Sequence, residues 1–125
     1  MTPLLFVAVA LAGGLGATAR FFVDGVLRSR MRGDLAFGTT VINVTGSLLL
    51  GLLTGLALAH LVSGDWQLVL GGGLLGGYTT FSTASVETVR LLQERRYVPA
   101  LVVGLGMLVA SVAAAGLGLW IGLSL

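Results

Sequence analysis

Long apolar runs alternate with short polar ones along the chain, and the runs have a characteristic length. A helix needs about 20 apolar residues to cross the hydrocarbon core of a bilayer. Four windows reach that length: 3–23, 37–61, 67–92 and 98–123. The connections, 24–36, 62–66 and 93–97, are too short for a soluble domain. The pattern predicts one all-α membrane domain over residues 1–125, with four transmembrane helices. Trp66, Tyr97 and Trp120 fall near the expected ends, where amphipathic rings favour the membrane interface. Ala17-Thr18-Ala19 resembles a signal-peptide cleavage site behind the apolar run 4–12. No basic side chain precedes that run, so it reads as a retained first helix.

The third window departs from the pattern. Gly71, Gly72, Gly73, Gly76 and Gly77 precede Thr79, Thr80, Ser82, Thr83 and Ser85. Glycine weakens a helix, and hydroxyls can bond backbone groups and stabilise an interruption. The window therefore predicts a broken third helix, with a kinked packing helix as the plainer alternative. A break at bilayer depth is tolerated only when buried in protein or lining a water-filled path. Its freed carbonyls can face a cation, and its freed amides an anion. Elsewhere the glycines read as packing devices. Gly51 and Gly55, Gly118 and Gly122, and Gly13 with Ala17 each repeat a small residue four positions on. That spacing lets helix backbones approach closely.

Few polar residues lie inside the windows. Asn43 shares a helical face with Gly46, Ser47, Leu50 and Thr54. A buried amide must be satisfied, so that face looks into protein or water, either as an interhelical tie or as a path lining. Ser111 is the polar residue deep in the fourth window, and Arg20 lies near the end of the first. Glu87 follows the hydroxyl-rich stretch, and His60 sits at a helix end and reads as interfacial.

Composition agrees and excludes other classes. The chain is 56% hydrophobic and 10% charged, too apolar for a soluble domain of 125 residues. Without cysteine there is no disulfide, thiolate metal site or cysteine nucleophile, and without lysine no Walker phosphate loop. One histidine at a membrane boundary supports no Ser-His-Asp set, so the chain does not read as an enzyme. The basic residues are all arginines flanking apolar windows, which points to membrane orientation and away from nucleic acid.

Three stretches, "GGLGATARFF" (13–22), "FGTTVINVTGSLLLGLL" (37–53) and "GGLLGGYTTFSTASVET" (72–88), resemble the CrcB/Fluc fluoride-channel family in order and spacing. The resemblance is close over the first three windows and weak over the fourth. It implies four-helix subunits paired as an antiparallel, inverted dimer that passively conducts fluoride along two pathways at the interface. It also implies a structural sodium ion on the two-fold axis, held by backbone carbonyls that match Gly76 and Thr79. In the pathway, Phe81 matches the first of two phenylalanines and Asn43 the pore asparagine. Ser111 matches the fourth-helix serine, Arg20 the vestibule arginine, and Glu87 with Ser82 and Thr83 the polar exit. Amide, hydroxyl and aromatic-edge donors are what a small, strongly hydrated anion requires once its water is stripped.

Two departures stand out. Ala84 occupies the place of the second phenylalanine, and Val103 and Met107 stand where the family carries polar residues. The seven arginines (20, 28, 30, 32, 90, 95 and 96) all fall on one side of a four-crossing topology. That bias predicts both termini outside the plasma (inner) membrane and one fixed orientation. The dimer partner is then either this chain itself or an inverted paralogue. Two other readings compete: a small proton-coupled multidrug exporter, opposed by the lack of a carboxylate before Asp24, and a non-conducting partner subunit.

Overall fold

A computed structural model describes residues 1–30 and 37–125; Arg32 and Asp34 of the first connection lie outside the described residues. Among the described residues, six α-helical pieces and one π-helical stretch make up the fold. Helix α1 spans Pro3–Arg30, α2 Phe37–Leu58, α3 Gly64–Gln67, α4 Gly76–Tyr78, α5 Ser82–Gln93 and α6 Tyr97–Ser124. The stretch Leu68–Leu75 between α3 and α4 is π-helical. Helices α1, α2 and α6 are each long and apolar enough to cross a membrane.

Helix ends differ from the hydropathy windows for local reasons. At its start α1 is capped by Thr2, whose hydroxyl accepts from the Leu5 N–H at 3.1 Å. It then continues past residue 23 to Arg30, because the polar residues beyond the apolar run still suit a helix. Arg28 Nε donates to Asp24 Oδ2 at 2.9 Å one turn back, and Arg28 and Arg30 meet the negative end of the helix dipole. Helix α2 stops at Leu58 and does not reach residue 61. His60 takes φ 63, with Leu61 N–H bonded to Leu56 O at 2.9 Å and His60 N–H to Ala57 O at 3.1 Å. That double bond with a left-handed residue closes a helix C-terminus. Arg95 closes α5 in the same way at φ 58, through Arg96 N–H to Leu91 O and Arg95 N–H to Leu92 O. Trp66, expected in a connection, lies within α3, where the Ser63 hydroxyl accepts its N–H.

Close backbone contacts hold the bundle together. A Cβ on Gly51 would run into the Ala115 carbonyl, and one on Gly118 into the Leu48 carbonyl, so α2 and α6 touch through their glycine faces. On the other side, α1 lies against the π-helical stretch and α4. There a Cβ on Gly16 would meet the Leu74 carbonyl, and one on Gly77 the Gly13 carbonyl. The small-residue spacings in the first, second and fourth windows thus mark true helix contacts. Outward faces carry exposed Phe21, Phe22, Leu101 and Val109, as lipid contact requires.

Candidate functional site

Tyr78 ends α4, Thr79 is extended at φ −76 and ψ 160, and α5 resumes at Ser82. Helix α2 holds this interruption. Asn43 Nδ2 donates to the Thr80 carbonyl at 2.8 Å, and Asn43 Oδ1 accepts from the Thr80 N–H at 2.9 Å. The pairing fixes which amide atom is which, since a backbone N–H can meet only an acceptor. One turn along α2, Gly46 leaves room for the Thr79 methyl. The Tyr78 hydroxyl lies 3.0 Å from Thr45 Oγ1, whose own proton goes to the Val41 carbonyl at 2.7 Å, so the tyrosine is the donor. On the far side, Thr80 Oγ1 accepts from the Thr83 N–H at 3.2 Å and caps α5.

These bonds redirect two donors. In an unbroken helix the N–H of residue 80 serves the carbonyl of residue 76, and that of 83 serves 79. Here the first goes to Asn43 and the second to Thr80 Oγ1. The Gly76 and Thr79 carbonyls thereby lose their ordinary helical donors. Among the described residues no group of three His, Asp or Glu side chains could hold a metal, so a cation at this site would rest on backbone oxygen.

Beside the interruption lies a groove of about 550 Å³ formed with α2, α5 and α6. Asn43, Thr79, Thr80, Phe81, Ala84 and Ser111 are among its lining residues. Phe81 is 87% exposed. The Ser111 hydroxyl is buried and has no hydrogen-bond partner among the described residues. Met107 also lines the groove, and its sulfur accepts the second N–H of Asn43 Nδ2 at 3.4 Å.

Of the residues singled out in the sequence, Asn43, Thr79, Phe81 and Ser111 converge on this groove. Gly76 sits one helical turn before Thr80, at the start of α4. Ser82 and Thr83 do not line it; their hydroxyls cluster with Thr80 Oγ1 at 3.3 and 3.2 Å at the start of α5. Glu87 is buried elsewhere, at the junction of α1, α2 and α5. Its Oε1 accepts from Thr39 Oγ1 at 2.7 Å and pairs with Arg28 Nη2 at 3.4 Å. Arg20 is half-buried on α1 and makes no hydrogen bond or ion pair among the described residues. Sequence reasoning counted Thr80 only as one hydroxyl of the third window and passed over Thr39. A hydroxyl three residues before Thr83 is a helix-start signal for Thr80, whereas nothing local to Thr39 announces a partner 48 residues away.

Comparison with known proteins adds an independent finding. The sequence model of the family described as CrcB-like protein, Camphor Resistance (CrcB), matches residues 7–122. The chain is 60% identical over 122 residues to a protein of Leifsonia xyli subsp. xyli named fluoride-specific ion channel FluC 1, covering 98% of this chain and 89% of that protein. It is 54% identical to fluoride-specific ion channel FluC 2 of Cutibacterium acnes, covering 91% and 94%. It is 42% identical to the FluC 2 channel of Mycobacterium bovis, covering 97% and 93%.

Proposed function

The chain belongs to the CrcB family of membrane ion channels, which are not enzymes, and on that premise we propose that it is a subunit of a fluoride-selective channel exporting cytoplasmic fluoride by passive conduction. The observation that carries the proposal is the groove at the helix interruption. There an aromatic ring, an amide and a buried hydroxyl without a partner among the described residues line one groove. A desolvated fluoride ion needs such donors: a positive ring edge from Phe81, N–H from Asn43 and O–H from Ser111. Stretches 64–78 and 82–93 together form the third of four crossings in this reading, broken at Thr79.

The subunit works as half of an antiparallel dimer. Phe81, 87% exposed on one chain, acquires a cover when an inverted copy closes the groove. A structural sodium ion fits the interruption, with the Gly76 and Thr79 carbonyls as its ligands, because their helical donors are redirected. When bound, the ion supplies a fixed positive charge in a low-dielectric site. The seven arginines on one side support an orientation with both termini outside the plasma membrane. Glu87, held by Thr39 and Arg28, and Arg20 lie outside the groove wall and act at the ends of the path.

Ala84 favours a second arrangement. It lines the groove where the family pattern has a ring, so the chain can serve as the weaker half of a mixed dimer with an inverted paralogue. Fluoride efflux from liposomes, read with a fluoride electrode, tests both. Efflux from the chain alone supports the homodimer, efflux only with a co-expressed paralogue supports the mixed dimer, and none in either case refutes the proposal.

A further inference from the structure

The amide of Asn43 is fully committed. Its oxygen and one N–H pair with the Thr80 backbone at 2.9 and 2.8 Å, and its second N–H faces Met107 Sδ at 3.4 Å. These partners differ in strength. The two backbone bonds are short and mutually aligned, and breaking them would release the interruption itself. A thioether is a weak acceptor on a side chain with three rotatable bonds. If an anion in the groove is to take a proton from Asn43, the N–H it can reach without unmaking the backbone is the one facing Met107. Met107 is 6% exposed and lines the same groove as Asn43 and Ser111.

We propose that Met107 is a gate on the anion path: its thioether occupies the displaceable N–H of Asn43, and fluoride enters that position only as the methionine side chain swings away. This rests on the groove being the fluoride path. It gives Met107 a role beyond filling space, acting through Asn43 as a positioning residue. It also explains how an apolar residue can stand on an anion path without closing it, since a flexible side chain with three rotatable bonds can move aside.

The test compares the parent with Met107→Leu, Met107→Ser and Asn43→Ser, and with the double variant Asn43→Ser/Met107→Leu. Leucine keeps the volume and removes the sulfur acceptor, and such swaps are well tolerated in cores. Fluoride efflux and the half-saturating fluoride concentration are measured in liposomes, with the chain paired as it conducts best. Loss of one weak hydrogen bond predicts a rise in flux of about threefold for Met107→Leu, with half-saturation at lower fluoride. Met107→Ser, which also opens space, should raise flux about tenfold. The gain from leucine must vanish in the Asn43→Ser background, because the gate acts through that amide. A conducting parent whose flux and half-saturation are unchanged or worsened in both Met107 variants overturns the gate and leaves the channel reading intact. A leucine gain that persists without Asn43 overturns it as well. If neither parent nor variants pass fluoride in any pairing, both the gate and the channel reading fail.

Discussion

Replacing Asn43 by alanine removes the two bonds that its side chain makes to the interruption. The Thr80 N–H and carbonyl, on a residue only 8% exposed, lose partners at 2.9 and 2.8 Å. A buried backbone group left without its partner costs about 1–3 kcal/mol. The N–H term can be read on its own by amide hydrogen exchange. A cost of about 1–3 kcal/mol in local opening corresponds to exchange at the Thr80 amide faster by about 5- to 150-fold. The Ser85 amide, bonded to the Phe81 carbonyl at 2.9 Å within the next helix, serves as internal reference and should change little.

The assay is exchange mass spectrometry with residue-level fragmentation on protein in lipid nanodiscs. Asn43→Asp is the informative companion. An ionised aspartate still accepts from the Thr80 N–H but sets oxygen against the Thr80 carbonyl in place of a donor. It should therefore protect the amide better than alanine does while still disturbing the interruption. Equal protection of Thr80 in parent and Asn43→Ala would refute the clamp, and with it the claim that α2 holds the break. Equal acceleration at Thr80 and Ser85 would also refute it, by showing a general loosening.

Phe81→Ile should abolish fluoride efflux in a pairing where the parent conducts, because Ala84 leaves Phe81 as the ring on this stretch of wall; parental efflux rates would remove it from the path. Gly118→Val should separate α2 from α6, since its Cβ would meet the Leu48 carbonyl, and should be read as loss of the monodisperse peak in detergent; Gly116→Ala, where open space surrounds the added carbon, is the tolerated control. Single cysteines at Thr2 and Glu94 in the native membrane should label from opposite sides with a membrane-impermeant reagent. Labelling of both positions from both sides would show mixed orientation and refute the arginine argument.

What the sequence disclosed and what it hid divide along physical lines. That the second and fourth helices make close backbone contacts was legible, because close approach demands small residues at the spacing of Gly51 and Gly118 with their partners; that they make them with each other was not. Glycines and hydroxyls oppose a regular helix together, which is the physical ground for expecting a break in the third window. Helix ends were not. Hydropathy measures how far lipid extends, whereas Asp24 with Arg28 extends α1 beyond it and His60 cuts α2 short by a backbone device. For Asn43, burial of an amide announced a partner but could not say which, since a tie between helices and a donor to an anion look the same along the chain. The structure makes it a tie to the Thr80 backbone with one weakly held N–H remaining. Met107, in the sequence an apolar residue where polar ones are usual, turns out to hold that N–H. Glu87 read as the end of the hydroxyl track, yet a partner on α2 and another on α1 draw it away from the groove.

The two ions in the proposal are not independent of each other. Redirecting the N–H groups of Thr80 and Thr83 to side chains leaves oxygen, not nitrogen, without its helical partner at Gly76 and Thr79. Carbonyl oxygen carries partial negative charge, and Thr79 lines the groove that fluoride is to use. At low dielectric such oxygens repel an anion strongly. A groove with that wall favours fluoride only if positive charge is fixed beside it, and the same carbonyls are what would fix a monovalent cation there. Asn43 therefore supports both ions: its N–H facing Met107 is the donor for the anion, and its oxygen, by taking the Thr80 N–H, withholds a donor from Gly76. A variant that breaks the clamp releases the geometry that faces both ions, so cation retention and anion flux must decline together. A variant that lost fluoride flux with sodium retention unaltered would place the Asn43 effect on its side-chain donor alone.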